Sequence, residues 1–205
     1  SDGASLVFHF AMRAVKPAAP GAVHAPLIAD RQDVSMIVPL ESQRPDAIER
    51  LLDDAFGVDR HARTAYLIRG TVAWIPALSF AVVDGEGALI GSLQSWPVVL
   101  TQDDGTQCPY IMVGPVAVAP AHQGGGHGRA MMDAVVAAAK AQGTAPLMMI
   151  GDPEYYGRFW GFSAEDTSGW RAPGPVEQRR LLALSVDGRA VGGAGMLGPD
   201  ISVIA

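Results

Sequence analysis

The chain has 205 residues, of which 49% are hydrophobic and 18% are charged. This length and composition predict one globular domain and exclude a largely disordered chain. The formal net charge of −6 excludes a broad basic surface for nucleic acid, and the single cysteine, Cys108, excludes an internal disulfide framework and a cysteine-based zinc site.

The N-terminal segment differs in composition from the rest of the chain. Residues 1–32 are rich in proline and alanine and predict an extension or linker, while residues 33–205 are expected to form the domain. The apolar run at residues 6–12 is short and follows no basic residue, and no run reaches the about 18 residues of a membrane helix. We therefore expect no secretory signal, no membrane contact and a cytoplasmic location.

The first half of the domain predicts a strand, two helices and an antiparallel meander. After a strand at residues 34–38, apolar residues at helical spacing predict a helix over Pro45–Phe56. Asp59 is a candidate N-cap for a second helix over residues 59–69, which Gly70 would end. Short polar turns then join three predicted strands, at residues 78–83, 88–100 and 108–119.

The next segment predicts a crossover to a parallel strand. Alanine-rich residues 129–142 predict a largely buried helix, and the apolar residues 146–150 predict a strand after it. This strand would lie parallel to the strand at 108–119, because the crossover connection is right-handed. A short helix over residues 152–160 would cover the carboxyl ends of the pair. The sequence thus predicts an α/β fold with a mixed, mostly antiparallel sheet.

The C-terminal residues predict a final hairpin. Strands at residues 181–186 and 190–195 flank Asp187 and Gly188, a dipeptide that is typical of two-residue hairpin turns. Gly192 weakens the second strand, since glycine inside a strand packs no side chain. We expect the two strands to pair with each other.

A glycine-rich loop joins the strand at 108–119 to the long helix. Residues 123–128 read Gln-Gly-Gly-Gly-His-Gly, and glycines let the backbone approach a ligand closely. The first N–H groups of a helix have no intrahelical partner, and the helix dipole adds positive charge there. The loop therefore predicts an anion site, most often for a phosphate. It matches neither the Walker pattern nor the dinucleotide-binding pattern.

Two motifs identify a family resemblance. Gln123, Gly126 and Gly128 follow a Gln-x-x-Gly-x-Gly pattern, which resembles the acyl-coenzyme A loop of the GNAT superfamily of N-acetyltransferases. Residues 151–162, with the run Tyr-Tyr-Gly-Arg-Phe-Trp-Gly-Phe, resemble a second GNAT signature, most closely in the YhbS-like branch. The motifs occur in the family's order, and the resemblance covers residues 34–162.

The resemblance implies the GNAT fold and an activity. The sheet would open between a splayed parallel pair of strands at the cofactor site. An N-acetyltransferase of this kind moves an acetyl group from acetyl-CoA to a primary amine by direct attack in a ternary complex. The acceptor would be a small molecule or a peptide. The resemblance implies no metal, no nucleic acid and often a homodimer. The acceptor pocket would be built by the first two helices, the loops around residues 74–76 and Trp96, and the C-terminal hairpin.

The resemblance also implies roles for individual residues. Backbone groups of Val116, Ala117 and Val118 would pair with the pantetheine arm, and an N–H near Val118 would stabilise the oxyanion. Tyr156 would give a proton to the departing thiolate, and Tyr155 would contact the pantetheine. The N–H groups expected to hold the pyrophosphate belong to Gln123, Gly124, Gly125, Gly126, His127, Gly128 and Arg129.

Departures from the family pattern leave parts of the chemistry open. Trp160 is one residue more than the signature has, and Gly125 stands where the family often has arginine. Residues 108–119 contain no carboxylate, although many relatives place a general base there. The candidates for this role are a water chain or the side chains of His122, Asp84 and Glu154.

Three alternatives stay open. Tyr156 also fits a structural role in an aromatic cluster with Phe159, Trp160 and Phe162. An amine that is already neutral at the working pH would need no base at all. The alternative to an enzyme is a catalytically silent acyl-CoA-binding sensor or partner-binding module of the same fold.

Overall fold

The computed structural model describes residues 34–204, which form one mixed sheet of eight strands with four α-helices. The strands are β1 (Met36–Pro39), β2 (Phe80–Val83), β3 (Leu89–Gln102), β4 (Gln107–Val118), β5 (Leu147–Ile150), β6 (Trp170–Arg171), β7 (Leu181–Leu184) and β8 (Gly195–Pro199). The helices are α1 (Pro45–Phe56), α2 (Thr64–Arg69), α3 (His127–Gln142) and α4 (Pro153–Trp160). The strand order is β1-β2-β3-β4-β5-β7, and β8 pairs with both β3 and β6. This architecture confirms the predicted α/β fold.

Helix α1 forms as its sequence predicts. Pro45 stands in the first turn, where its missing N–H breaks no helical hydrogen bond. Ile48, Leu51 and Leu52 recur at helical spacing and are buried against the sheet. Gly57 ends the helix with φ 87° and donates its N–H to Asp53 O at 2.8 Å.

The start predicted for the second helix is wrong. Asp59 makes no side-chain cap, residues 60–62 form a 3₁₀ turn, and α2 begins only at Thr64. The reason is Arg60, whose buried guanidinium donates to Asp53, Glu49 and the Tyr66 hydroxyl. The hydrogen bonds to Asp53 and Glu49 hold the turn against α1, and the extended backbone of Arg63 separates the turn from α2.

The antiparallel meander is confirmed with shifted ends. Strands β2, β3 and β4 pair antiparallel in sequence order. Strand β2 begins at Phe80 because residues 76–78 form a 3₁₀ turn, and β1 begins at Met36. The N-terminal half of β3 pairs with β2, while its C-terminal half pairs with β8.

The crossover to a parallel strand is also confirmed. Strand β5 lies parallel to β4 through the pairs Ile111–Leu147 and Met112–Met148. Helix α3 covers one face of the sheet, where Met131 and Val135 are fully buried. Helices α1 and α2 cover the opposite face, where Ile68 packs in a cluster with Trp96. The sheet therefore lies between two helical layers.

The predicted C-terminal hairpin is wrong. Strand β7 pairs with β5, and β8 pairs with β3 and β6, so β7 and β8 are not neighbours. The chain bends at Gly188, which has φ 83°, but residues 189–194 are not a strand. Gly195 explains where β8 goes: a Cβ there would lie 2.3 Å from Thr101 O, so only glycine permits this approach to β3.

Three further expectations concern the N-terminal extension, membrane-spanning helices and metal sites. The predicted extension at residues 1–32 lies outside the described residues. Between residues 34 and 204, no helix is long and apolar enough to cross a membrane. The same part of the chain brings together no group of three or more histidine, cysteine, aspartate or glutamate residues that could hold a metal ion.

Candidate active site

The parallel pair β4 and β5 opens toward the carboxyl ends of the strands. Their pairing stops after Met112 and Met148, although β4 runs on to Val118. Opposite this segment, the register with β3 passes from Leu93–Val116 to Ser95–Val113, so β4 carries one extra residue around Gly114. The bulge lies where β4 leaves β5, and it marks the start of the opening.

The alternation of backbone groups decides which amides face the opening. Ala119 donates its N–H to Ile90 O at 2.8 Å, so Ala119 turns its backbone groups toward β3. In an antiparallel ladder every second residue does so. Ala117 therefore turns its backbone groups toward β3, while Val116 and Val118 turn theirs toward the opening.

The contact of Gln123 agrees with this assignment. Its Nε2 donates to Val118 O at 3.4 Å, and that oxygen lies on the edge facing away from β3. Of the three residues that the sequence linked to the pantetheine arm, two offer backbone groups to the opening. Ala117 instead packs its side chain under α1 and is 1% exposed.

The glycine-rich loop ends at the start of α3. Gly126 is the N-cap in the left-handed conformation, with φ 77°, and no side chain caps the helix. The first turn contains no acidic residue. The N–H groups of His127, Gly128 and Arg129 thus have no intrahelical partner. A helix start with free donors and no carboxylate suits a bound anion.

Two side chains of the loop region have defined positions. The His127 ring folds back over Gly125, where a Cβ would lie 2.7 Å from Nε2, and its Nδ1 lies 3.5 Å from Ser35 Oγ. The Arg129 guanidinium lies 4.4 Å from the ring centre of Phe159 on α4. Arg129 is therefore held beside the loop by a stacking contact.

Helix α4 begins at the end of β5 and carries the two tyrosines. Asp152 caps it by accepting hydrogen bonds from the N–H groups of Glu154 and Tyr155. The Tyr156 ring lies against Gly151, where a Cβ would be 2.6 Å from Cδ2. Only glycine at this position leaves room for the ring.

Tyr156 belongs to the aromatic and apolar cluster at the opening. The cluster includes Val118 and Phe162, and Tyr156 packs against it together with Val116. Burial raises the pKa of the Tyr156 hydroxyl above its ordinary value, with Tyr155 as a further cause. Tyr156 therefore keeps its proton throughout the neutral range and is a hydrogen-bond donor there.

Tyr155 faces α3 rather than the interior. Its ring centre lies 5.1 Å from those of Tyr156 and Phe159. Burial raises the pKa of Tyr155, Arg129 opposes the rise, and Asp133 adds to it. Tyr155 is thus placed between the start of α3 and Tyr156.

The three side chains that are candidates for a general base lie at two separate places. Asp84 and His122 line the same cavity of about 270 Å³ beside the loop. Asp84 accepts hydrogen bonds from the N–H groups of Glu86 and Ala88, so its carboxylate stabilises the turn between β2 and β3. Glu154 forms an ion pair with Arg179.

The opposite face of the bulge carries polar groups that the sequence analysis did not single out. Gln94 is 4% exposed, and its Oε1 has no hydrogen-bond partner among residues 34–204. The Arg69 guanidinium lies 3.9 Å from the ring centre of Tyr66 and 3.7 Å from that of Trp96. Burial lowers the pKa of Arg69 to about 10, and its Nη1 has no partner among the same residues. The sequence offered one signal for these groups, because Gln94 is a polar amide residue inside an otherwise apolar predicted strand.

Comparisons with known proteins agree with this geometry. A family model described as an acetyltransferase (GNAT) domain matches residues 37–164. The GNAT family N-acetyltransferase YhbS from Escherichia coli, solved with CoA, has a TM-score of 0.62 and 22% identity, over 89% of this chain and 97% of that chain. A GNAT family acetyltransferase from Brucella melitensis, solved with acetyl-CoA, has a TM-score of 0.56 and 22% identity, over 83% and 99%. No curated protein matches the chain.

Proposed function

The chain belongs to the GNAT family of acetyltransferases, and from this premise we propose that it transfers an acetyl group from acetyl-CoA to a primary amine. The acceptor is a small molecule or a peptide, and the amine attacks directly in a ternary complex. The observation that carries this proposal is the open edge of β4, where Val116 and Val118 turn their backbone groups away from β3 beside an uncapped helix start. This edge fits a ligand that is amide-rich at one end and anionic at the other.

The residues present fit acetyl-CoA as the cosubstrate. The backbone of Val116 and Val118 would hydrogen-bond the amides of the pantetheine arm, as an added strand does. The free donors from Gln123 to Arg129 would hold the pyrophosphate. Two GNAT proteins of the same fold were solved with CoA and acetyl-CoA, which supports this placement.

The chemistry needs three contributions from the chain. Binding both substrates side by side brings the amine nitrogen to the thioester carbonyl, which removes much of the entropic barrier. As the C–N bond forms, negative charge develops on the carbonyl oxygen, and an N–H on the open edge near Val118 stabilises it. The C–S bond then breaks, and the thiolate leaves with its electron pair.

Tyr156 supplies the proton for the leaving thiolate in this proposal. It packs in the same cluster as Val116 and Val118, and its raised pKa keeps the hydroxyl protonated. Proton transfer from such a phenol to a thiolate is uphill, so donation of a hydrogen bond to the sulfur is part of its role. The attacking amine must lose one proton, and a neutral amine at the working pH loses it to water after attack.

A second candidate function is a catalytically silent acyl-CoA-binding sensor or partner-binding module. One observation favours it: β4 carries no carboxylate, and the carboxylates of Asp84 and Glu154 are bound in a turn and an ion pair. Both functions require acyl-CoA to bind, so binding alone does not separate them.

The test of the proposed function has two parts. Calorimetric titration with acetyl-CoA should show one site per chain. Incubation with acetyl-CoA and a mixed panel of amines, followed by mass spectrometry, should reveal an acceptor that has gained one acetyl group. Binding without any acetylated product would support the sensor function, and no binding would refute both.

A further inference from the structure

Trp160 is the residue by which the α4 segment exceeds the family signature, and its side chain has a specific partner. The indole Nε1 donates a hydrogen bond to Asp133 Oδ1 at 2.7 Å. Trp160 is the last residue of α4, and Asp133 lies in the second turn of α3. The extra residue therefore connects the two helices that border the proposed cofactor site. We call this hydrogen bond the α3–α4 bridge.

The end of α4 shows how the chain accommodates the extra residue. Gly161 ends the helix in the left-handed conformation, with φ 83°. In the Schellman ending that is common at such glycines, the N–H of Phe162 would bond to Gly157 O. Instead Gly161 donates to Gly157 O at 3.0 Å, and Phe162 donates to Tyr156 O, one residue further back, at 3.4 Å. The turn is thus one residue wider and stays anchored on the backbone of Tyr156.

A second contact joins the same faces of the two helices. Arg129 precedes Asp133 by one helical turn on α3, so the two side chains share a face of that helix. The Arg129 guanidinium lies 4.4 Å from the ring centre of Phe159, which is the neighbour of Trp160 on α4. Two adjoining residues of α4 therefore contact one face of α3, and these contacts restrain how α4 is rotated against it.

The bridge reaches Tyr156 through ring contacts. The ring centre of Trp160 lies 5.7 Å from that of Tyr156 and 5.6 Å from that of Tyr155. The Tyr156 ring also lies against Gly151, where a Cβ would be 2.6 Å from Cδ2. Tyr156 is therefore packed against both Trp160 and the end of β5. A displacement of Trp160 would change the position of the Tyr156 hydroxyl.

We propose that Trp160 and Asp133 are positioning residues, which hold Tyr156 where its hydroxyl reaches the sulfur of acetyl-CoA. Both act through Tyr156 rather than on the substrates. Loss of the bridge lowers the rate of transfer, because a proton donor must be placed accurately. Acetyl-CoA binding is retained, because Asp133 lies beyond the first turn of α3. The inference rests on the proposed function for its effect on rate, whereas the restraint on Tyr156 is testable without turnover.

The variants separate the hydrogen bond from the packing. Asp133→Ala removes the acceptor at an exposed position, and Asp133→Asn retains an acceptor oxygen. Trp160→Phe keeps an aromatic ring without the N–H. Asp54→Ala is the matched control, because Asp54 is an exposed aspartate on α1 that forms no ion pair with any of residues 34–204.

Two measurements apply to each protein: thiol release from acetyl-CoA with an amine that the wild type accepts, and calorimetric affinity for acetyl-CoA. Asp133→Ala and Trp160→Phe should each lower kcat about tenfold and change the affinity less than about twofold. Asp133→Asn should stay within about twofold of wild-type kcat, because the indole keeps an acceptor. Asp54→Ala should leave both quantities unchanged.

The dependence on Tyr156 distinguishes positioning from a general loss of structure. Two residues that act through one another have effects on rate that do not add. In a Tyr156→Phe background, Asp133→Ala should therefore lower kcat by less than about twofold further. A full further loss, as large as in the wild-type background, would overturn the inference.

A third readout reports Tyr156 without turnover. In protein that carries 3-fluorotyrosine, fluorine NMR shows a Tyr156 resonance, identified by its absence from Tyr156→Phe. It should shift or broaden in Asp133→Ala and match the wild type in Asp133→Asn.

An unchanged resonance in Asp133→Ala, or an acetyl-CoA affinity that falls as much as kcat, would overturn the inference. A shifted resonance in a protein whose wild type turns over no amine would refute the transferase and support the restraint on Tyr156.

Discussion

Trp96 donates its indole N–H to the carbonyl oxygen of Gly114 at 2.8 Å. This hydrogen bond ties the buried face under α1 and α2 to the bulge of β4. The bulge is the point at which β4 separates from β5 and changes which amides face the opening. One indole therefore stabilises the local backbone geometry on which the proposed cofactor contacts depend.

Replacing Trp96 with phenylalanine should reduce both stability and turnover. The variant removes the hydrogen bond to the half-buried carbonyl of Gly114 and opens a small cavity, which together cost about 2–4 kcal/mol of unfolding free energy. Urea denaturation of wild type and variant measures this loss of unfolding free energy. Affinity for coenzyme A should fall less than turnover, because the pyrophosphate site at α3 is separate from the pantetheine contacts at the β4 opening. A loss of coenzyme binding larger than the loss of turnover would contradict this separation.

Gly126 and Gly188 offer a matched pair of substitutions. Both have positive φ, 77° and 83°, and a Cβ at either would meet no atom within 4 Å. Alanine at each should therefore destabilise the protein by a similar amount, about 1–2 kcal/mol, through backbone strain.

Only Gly126→Ala should weaken acetyl-CoA binding, because Gly126 lies in the loop proposed to hold the pyrophosphate. Calorimetry on both variants, alongside their thermal midpoints, checks this. Equal affinities of the two variants for acetyl-CoA would mean that the loop does not bind the phosphates.

Asp152 should contribute pH-dependent stability through the cap of α4. Its pKa lies below the ordinary value of 3.8; the largest cause is a hydrogen bond with the Glu154 side chain, and the cap N–H groups of Glu154 and Tyr155 also lower it. A carboxyl whose folded pKa is depressed adds stability above its unfolded pKa, and that stability is lost as the pH falls through and below about 4. Asp152→Ala should lose about 0.5–2 kcal/mol at pH 7.

Asp152→Asn provides the control for this prediction. Asparagine caps helices nearly as well but does not titrate, so its stability at pH 7 should stay close to that of the wild type. The acid dependence should be shallower in the variant. Parallel denaturation curves from pH 7 to pH 3 for wild type and Asp152→Asn would show that the cap carries no pH dependence.

Tyr156 should make the protein less stable at alkaline pH. Its folded pKa is raised by burial above the ordinary value of about 10, so in the unfolded chain the hydroxyl loses its proton first. Stability is therefore fully present below pH 10 and falls as the pH rises further. Thermal midpoints between pH 8 and pH 11 should decline less steeply in Tyr156→Phe than in the wild type. An unchanged slope would mean that the hydroxyl is not buried in solution.

The elements predicted correctly are those whose sequence determines them locally. Helix α1 has its apolar spacing, its early proline and its final glycine, and its predicted and observed limits agree. The parallel pairing of β4 and β5 was predictable because α3 is a continuous, largely apolar helix and because such strand–helix–strand connections are right-handed. The GNAT family was recognised because two short motifs in the right order are specific without any knowledge of packing.

The errors arose where distant residues decide the structure. The start of α2 depends on Arg60, whose partners Glu49 and Asp53 belong to a different helix. The position of β8 depends on Gly195 fitting against Thr101, and a local hairpin signal at Gly188 could not reveal this contact. Neither relation is visible as a pattern of neighbouring residues.

The sequence predicted only those parts of the candidate site that are formed by backbone groups. The loop and the strand before it were found from glycines and the strand pattern, but the alternation that separates Ala117 from Val116 and Val118 depends on a bulge. Gln94 and Arg69 were not singled out because their significance lies in missing partners. Only a three-dimensional structure shows that such a partner is absent.

The most direct test of the proposed transferase is thiol release from acetyl-CoA with a panel of polyamines, amino acids, aminoglycosides and short peptides, run for wild type and Tyr156→Phe. The proposal predicts turnover with at least one amine and a decrease of about 10²-fold or more in the variant, with acetyl-CoA affinity unchanged. Binding of acetyl-CoA without thiol release for any amine would contradict the enzyme and establish the sensor. Equal turnover in the two proteins would remove Tyr156 from the mechanism.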